Sequence, residues 1–220
     1  MNPVAKRTFT GLLVGAIVIC AVLFTPPVAI LPVVVCLAAL AIVEYVLLFI
    51  KKVPRLSLLS SVALVLGAAA IAGGFLMLAR TATVHGNVML LYIIAIVKFS
   101  DVGGFAFGLS SAKLMKGGNH KMCPTISPNK SWEGMAGSIF ASCLVSCCFM
   151  PATGFAIAKA LSFGAVAAIV GTFGDLVESK FKRWVGVKDS STMKITNGMG
   201  GFLDMFDSLL IAPAVLYSFI

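Results

Sequence analysis

The sequence predicts an all-α integral membrane protein with about seven transmembrane helices and a cytoplasmic N-terminus. Three observations lead there. Hydrophobic residues make up 60% of the 220-residue chain and charged residues only 11%, more apolar surface than a soluble domain of that size can hide. The apolar residues fall in runs near the roughly 20-residue length that crosses a bilayer. The basic residues sit between alternate runs.

The runs lie near 8–25, 28–50, 57–79, 88–110, 135–150, 161–178 and 199–220. The first follows Lys6 and Arg7, as a signal peptide would. It ends in Thr25-Pro26-Pro27 without a small-x-small cleavage pattern, so it reads as an uncleaved helix. The fifth is short, and its end is vague around Pro151. Cys20, Cys36, Cys143, Cys147 and Cys148 lie within runs and Cys123 in a loop. No CxxC pair occurs, so these cysteines suggest packing residues rather than a zinc site or a disulfide framework. The whole of 1–220 reads as one polytopic membrane domain, with N-terminal helices over 1–87 and the chemistry over 88–220.

The net charge of +9 does not point to nucleic acid, because its distribution is a topology signal. Fourteen of the 17 basic residues fall on one side if seven spans alternate: Lys6, Arg7, Lys51, Lys52, Arg55, Lys113, Lys116, Lys121, Lys130, Lys180, Lys182, Arg183, Lys188 and Lys194. Arg80 and Lys159 fall on the other, and Lys98 lies inside the fourth run. The positive-inside rule makes the first side cytoplasmic and leaves the C-terminus outside. The segments 111–134 and 179–198 are the longest polar stretches and hold nine of the fourteen charges, so soluble chemistry belongs there.

All eight acidic residues, Glu44, Asp101, Glu133, Asp175, Glu178, Asp189, Asp204 and Asp207, fall in the cytoplasmic half of this arrangement. An ionised side chain at a helix centre costs about 2.5–3.5 kcal/mol on insertion scales. Several such groups therefore need partners, water or a metal ion. Asp175 and Glu178, and likewise Asp204 and Asp207, stand three apart, on one helix face. Clustered carboxylates suit a hard cation such as Mg²⁺, which also binds substrate phosphates. The alternative is interfacial snorkelling or pairing with neighbouring lysines. Lys98 and Asp101 are three apart as well, which fits an intrahelical ion pair or a ligand role for Asp101 with Lys98 on a phosphate. His85 falls in an external turn, and His120 reads as a solvated loop histidine.

The segment 113–134 carries Gly117-Gly118 and two proline turns, so it cannot be one helix. Its ammonium groups, hydroxyls and backbone amides suit polyphosphate. Ser131 fits a helix cap and Trp132 a membrane-interface anchor. The second segment ends in Gly198-Met199-Gly200-Gly201 before Asp204, and glycines there allow close backbone approach to a ligand.

These residues resemble those of the phosphatidate cytidylyltransferase (CDP-diacylglycerol synthase) family. Ser179, Lys182, Arg183, Lys188, Asp189 and Ser191, then Gly198-Met199-Gly200-Gly201, Asp204, Asp207 and Ser208, look like its C-terminal pattern. Ser100-Asp101 through Gly108, Ile126-Ser127-Pro128-Asn129-Lys130-Ser131-Trp132-Glu133-Gly134, and Gly174-Asp175 through Glu178 and Arg183 look like three further motifs, in the family's order over about 98–213. Three departures stand out. Met199 replaces the family histidine, Met205 replaces an arginine, and the stretch from Asp189 to Gly200 is about two residues longer. The histidine position therefore cannot carry an essential proton here.

The resemblance implies the reaction CTP + phosphatidate → CDP-diacylglycerol + pyrophosphate. It implies catalytic roles for Asp175, Lys188, Asp189, Asp204 and Asp207. It implies substrate contacts from Ser127, Lys130, Glu133, Ser179, Lys182, Arg183, Gly200 and Gly201. It implies Mg²⁺, with room for a second, monovalent or divalent, cation, on Asp101, Asp175, Glu178, Asp204 and Asp207. The lipid bilayer is the implied surrounding, in a bacterial inner membrane with the site facing the cytoplasm, and a homodimer is compatible with it. The rival readings are another CTP-dependent lipid enzyme, of the polyprenol kinase or CDP-archaeol synthase type, and a transporter of phosphorylated solutes. A transporter should show internal repeats and midplane charge, and neither is evident.

Reporter fusions after residues 85, 120 and 220 test the topology. Fusions at 85 and 220 should report outside and that at 120 inside; segment 111–134 outside would reverse the arrangement.

Overall fold

In lipid every backbone amide must find its partner within the protein, and a single apolar run of about 20 residues does so by coiling. The computed structural model describes residues 15–53, 57–115, 118–187 and 202–220, without the side chains at 51, 52, 202, 204 and 205. Helix α1 is described over Gly15–Phe24. There follow α2 (Pro27–Lys52), α3 (Leu58–His85), α4 (Asn87–Leu114), β1 (Lys121–Cys123), β2 (Ser127–Ser131), α5 (Trp132–Cys148), the single turn α6 (Met150–Thr153), α7 (Ile157–Val185) and α8 (Phe202–Tyr217). Among the described residues, α2, α3, α4 and α7 are long and apolar enough to cross a membrane, and α1, α5 and α8 contribute shorter apolar helices. The chain is an all-α membrane protein, with one small hairpin among the described residues.

Local chemistry sets the helix ends. Pro27 opens α2, where its missing N–H costs nothing. Ser57 and Ser60 form a reciprocal capping box at the start of α3: the Ser57 amide donates to Ser60 Oγ at 2.7 Å, and the Ser60 amide donates to Ser57 Oγ at 3.3 Å. Gly86 alone joins α3 to α4 with φ at 86°, a backbone state that glycine tolerates best. Ser131 caps α5 as its position suggests, accepting the Gly134 amide at 3.1 Å.

One expectation about the polar segments needs correction, and the other is given a definite shape. The stretch from Ser179 to Val185 is not loop but the last turns of α7, which ends only where Gly186 turns left-handed at φ 78°. Ser179, Lys182 and Arg183 are thus held on a helix. The segment after α4 folds back as an antiparallel hairpin, with Lys121 opposite Ser131 and Cys123 opposite Ser127, around Pro124-Thr125-Ile126.

Small residues let the helices touch, as is usual where lipid supplies no hydrophobic drive between them. A Cβ on Gly103 of α4 would lie 2.5 Å from the Gly137 carbonyl of α5, and one on Gly137 would lie 2.7 Å from the Gly103 carbonyl. Gly164 sets α7 on α5 in the same way, against the Cys143 amide. Gly74 sets α3 on α8, against the backbone of Leu210. Between these contacts lies a buried core of Phe49, Phe75, Tyr92, Ile93, Ile96, Val97 and Leu216. Tyr92 donates to Ser146 Oγ at 2.7 Å, and Ser146 donates to the Ala160 carbonyl at 2.5 Å. Outward, Leu58, Phe105, Phe140 and Phe173 stay exposed on a surface suited to lipid.

Helix ends gather in two groups. At one, Asn87 Nδ2 donates to the Thr25 carbonyl at 2.8 Å, the Arg80 guanidinium lies 5.4 Å from the centre of the Tyr217 ring, and Lys159 covers Phe155 at 4.2 Å. The hairpin, the C-terminus of α7 and the N-terminus of α8 form the other.

Gly74→Ala should lower stability by about 1–3 kcal/mol, because its methyl group overlaps backbone rather than a movable side chain. Gly73→Ala, whose Cβ meets nothing within 4 Å, should be neutral or slightly stabilising. Thermal unfolding of the two variants in one detergent compares them; equal melting temperatures would refute the backbone contact.

Candidate active site

The polar end of the bundle holds its charges in pairs, two of them within a single helix and one from the hairpin to α7. On α4, Lys98 Nζ lies 3.3 Å from Asp101 Oδ2, one turn away. Ser208 of α8 completes the group: Lys98 donates to Ser208 Oγ at 3.0 Å, and Ser208 donates to Asp101 Oδ2 at 2.9 Å. The i,i+3 spacing suggests the ion pair; nothing in it shows the serine 107 residues beyond Asp101.

From the hairpin, Lys130 reaches α7. Its Nζ donates to Asp175 Oδ2 at 2.9 Å and to the Thr172 carbonyl at 3.0 Å. Asp175 lies within electrostatic reach of Asp101 and of Asp207. Asp207 accepts the Ser208 amide on Oδ1 at 2.6 Å. Glu178, 6% exposed at its side chain, lies 3.4 Å from Lys182 one turn along α7. Asp101, Asp175 and Asp207 thus come together from three helices, while Glu178 is engaged by its own helix.

The hairpin is fastened at its base. Asn119 Nδ2 donates to the Gly108 carbonyl at 2.9 Å. Glu133 takes the His120 amide on both oxygens at 3.1 Å and the His120 ring Nδ1 at 2.6 Å. His120 is solvated as expected, its side chain 74% exposed, and is also a strap on Glu133, which spends its oxygens on the hairpin. These hydrogen bonds, the ring's first, hold the Glu133 carboxyl down to about 2. A depressed carboxylate stabilises fully above its ordinary value of 4.5 and loses that contribution as pH falls toward 2. The strap is intact at any neutral pH.

Ser127 lies in β2 opposite Cys123. Ser179 is half-buried and Arg183 exposed on the last turns of α7. Asp204 falls in α8, one turn before Asp207, but its side chain lies outside the described residues, as do Lys188, Asp189, Gly200 and Gly201 in full. Among the described residues, no three of His, Cys, Asp and Glu stand close enough to hold a metal ion between them. The donor set nevertheless suits a cation. Asp175 Oδ1 is buried and accepts no hydrogen bond from the described residues, and Asp101 and Asp207 each lie within electrostatic reach of it.

Next to Asp207 opens a cavity of about 360 Å³ between α2, α3, α7 and α8. Tyr45, Ile71, Phe181, Trp184 and Leu210 line it, and Glu178 and Asp207 supply its acidic groups. Tyr45 is seated by its hydroxyl, which donates to the Ala63 carbonyl at 2.9 Å, and by Gly67, where any side chain would overlap its ring.

Fold and site together define a class: a helical, multi-pass membrane protein that brings carboxylates and ammonium groups to one end of the bundle, beside an apolar cavity. Within that class the chain belongs to the cytidylyltransferase family, whose model matches residues 4–220. The phosphatidate cytidylyltransferase of Staphylococcus aureus (strain COL) is 36% identical over 164 residues, 74% of this chain and 60% of that protein. That of Staphylococcus saprophyticus is 39% identical over 145 residues, 65% of this chain and 52% of the relative. That of Staphylococcus haemolyticus is 40% identical over 129 residues, 58% and 46% respectively. The matched segment thus spans about half the length of these curated relatives.

Lys130→Met should destabilise the protein by about 1–3 kcal/mol in chelator. It strands a carboxylate that is only 21% exposed, and the residual solvent contact keeps the loss below that of a fully buried pair. Adding Asp175→Asn should recover part of it. A double-mutant cycle by thermal unfolding measures the coupling; additive losses would mean the pair does not interact.

Proposed function

We propose that the protein transfers a cytidylyl group from CTP to phosphatidate, giving CDP-diacylglycerol and pyrophosphate, at the cytoplasmic face of a bacterial inner membrane. The supporting observation is the meeting of Asp101, Asp175 and Asp207 beside an apolar cavity, in a chain of this family. One substrate is a soluble triphosphate and the other a lipid with its phosphate at the interface. A site of paired charges at the end of an apolar bundle is accessible to both.

In the reaction a phosphatidate oxygen bonds to the α-phosphorus of CTP, and the bond from that phosphorus to the bridging oxygen of the β-phosphate breaks. The nucleophile is already anionic near neutral pH, so no strong base is needed, consistent with Met199 in place of a histidine. Lys130 has three donor protons, and two serve Asp175 and the Thr172 carbonyl. The third is the one to offer a phosphate oxygen. Arg183, exposed on α7, offers a fork of donors to the pyrophosphate, as Lys182 and Lys188 offer ammonium groups. Ser127 and Ser179 would donate to phosphate oxygens. Asp175, Asp204 and Asp207 would hold Mg²⁺, with Asp101 beside them. Bound there, magnesium would neutralise the charge that develops on the transferred phosphate and the leaving group.

Purified protein with labelled CTP and phosphatidate should form CDP-diacylglycerol in Mg²⁺ and not in chelator, despite Met199 and Met205. Asp204→Asn and Asp207→Asn should each cut turnover at least about tenfold to a hundredfold, with melting temperature nearly kept and part of the rate regained at high Mg²⁺. Near-normal turnover with a lowered melting temperature would show these aspartates to be structural. No turnover by the folded, unmodified protein would overturn the assignment.

A further inference from the structure

Glu44 is a fully buried carboxylate about two turns from the C-terminal end of α2. Ala41, Tyr45 and Leu48 are buried with it, at the spacing of one helix face, so this side chain points into the bundle and does not reach for the interface. Its Oε2 accepts the backbone amide of Leu203 at 2.7 Å, from a residue 159 positions away. Leu203 is the second residue of α8. The first amides of a helix have no carbonyl partner within it. A buried helix start needs acceptors from elsewhere, and a negative charge there also meets the positive end of the helix dipole.

We infer that Glu44 is a positioning residue: its carboxylate caps the first turn of α8 and so sets the depth and rotation of the aspartates that α8 carries toward α7. The geometry is direct. Leu203 and Asp207 stand one turn apart on α8 and line the same cavity, which Tyr45, the neighbour of Glu44, also lines. At the next contact the Asp207 carbonyl would lie 3.1 Å from a Cβ on Gly174 of α7. A small slide or roll of α8 would therefore move Asp207 relative to Asp175. The cap itself stands independently of the reaction; its catalytic consequence rests on the function proposed above.

Full-length protein carrying Glu44→Gln, which keeps an acceptor oxygen, and Glu44→Met, which keeps the length without one, tests the inference by amide hydrogen exchange. Peptides over 202–210 should exchange at least about tenfold faster in Glu44→Met than in the unmodified protein, with α3 and α5 unchanged. Glu44→Gln should stay closer to the unmodified protein. The Mg²⁺ concentration giving half-maximal cytidylyl transfer should rise severalfold in Glu44→Met, with KM for CTP little changed. Should Glu44→Met not fold, Glu44→Asp, which withdraws the oxygen by one methylene, should show the same local acceleration. Equal exchange in Gln and Met variants, unchanged exchange over 202–210, or uniform acceleration across all helices would overturn the cap. If the unmodified protein transfers no cytidylyl group, the functional proposal fails while the exchange pattern still decides on Glu44.

Discussion

A charge carried to bilayer depth must bring a partner, and in this protein several of the partners come from other segments. Lys130 of the hairpin meets Asp175 of α7. Ser208 of α8 joins Lys98 and Asp101 of α4. Glu44 of α2 takes an amide of α8. Apolar contact is non-directional and lets helices slide or roll at little cost. These links do not, because each works only over about 3 Å and in one orientation. They fix how deep and at what rotation α4, α7 and α8 sit, and the candidate site depends on that registration.

Glycine makes the registration possible. Hydrogen-bonding groups on neighbouring helices can meet only if the backbones come close, and Gly103, Gly137, Gly164 and Gly74 remove the side chains that would hold them apart. The apolar packing and the polar links are thus one design: small residues set the distance, and hydrogen bonds set the angle.

The helices were legible because lipid imposes one period and one length on anything that crosses it. Each of the seven apolar runs overlaps a described helical segment. Boundaries were less legible. Lys180, Lys182 and Arg183 read as loop by their charge, yet they are good helix formers and extend α7 to Val185. The hairpin was hidden because its proline turns announce a break but not the pairing of Lys121 with Ser131. In the site, the i,i+3 pair Lys98–Asp101 could be read from spacing. Lys130–Asp175 and Glu44–Leu203 could not, since they join residues 45 and 159 positions apart. The one local clue to Glu44 is a lone carboxylate in an otherwise apolar run.

The ion pair inside α4 bears on how such a chain is made. Synthesis runs from the N-terminus, so α4 reaches the membrane while Ser208, 110 residues beyond Lys98, is still unmade. A helix bearing a lone lysine or a lone aspartate would hesitate at the translocation channel. Lys98 and Asp101, one turn apart, let α4 arrive with a counter-charge of its own, as a nearly neutral rod that can leave the channel for lipid. The serine that completes the group then docks onto a helix already in place, so the order of biogenesis is written into the spacing of two residues.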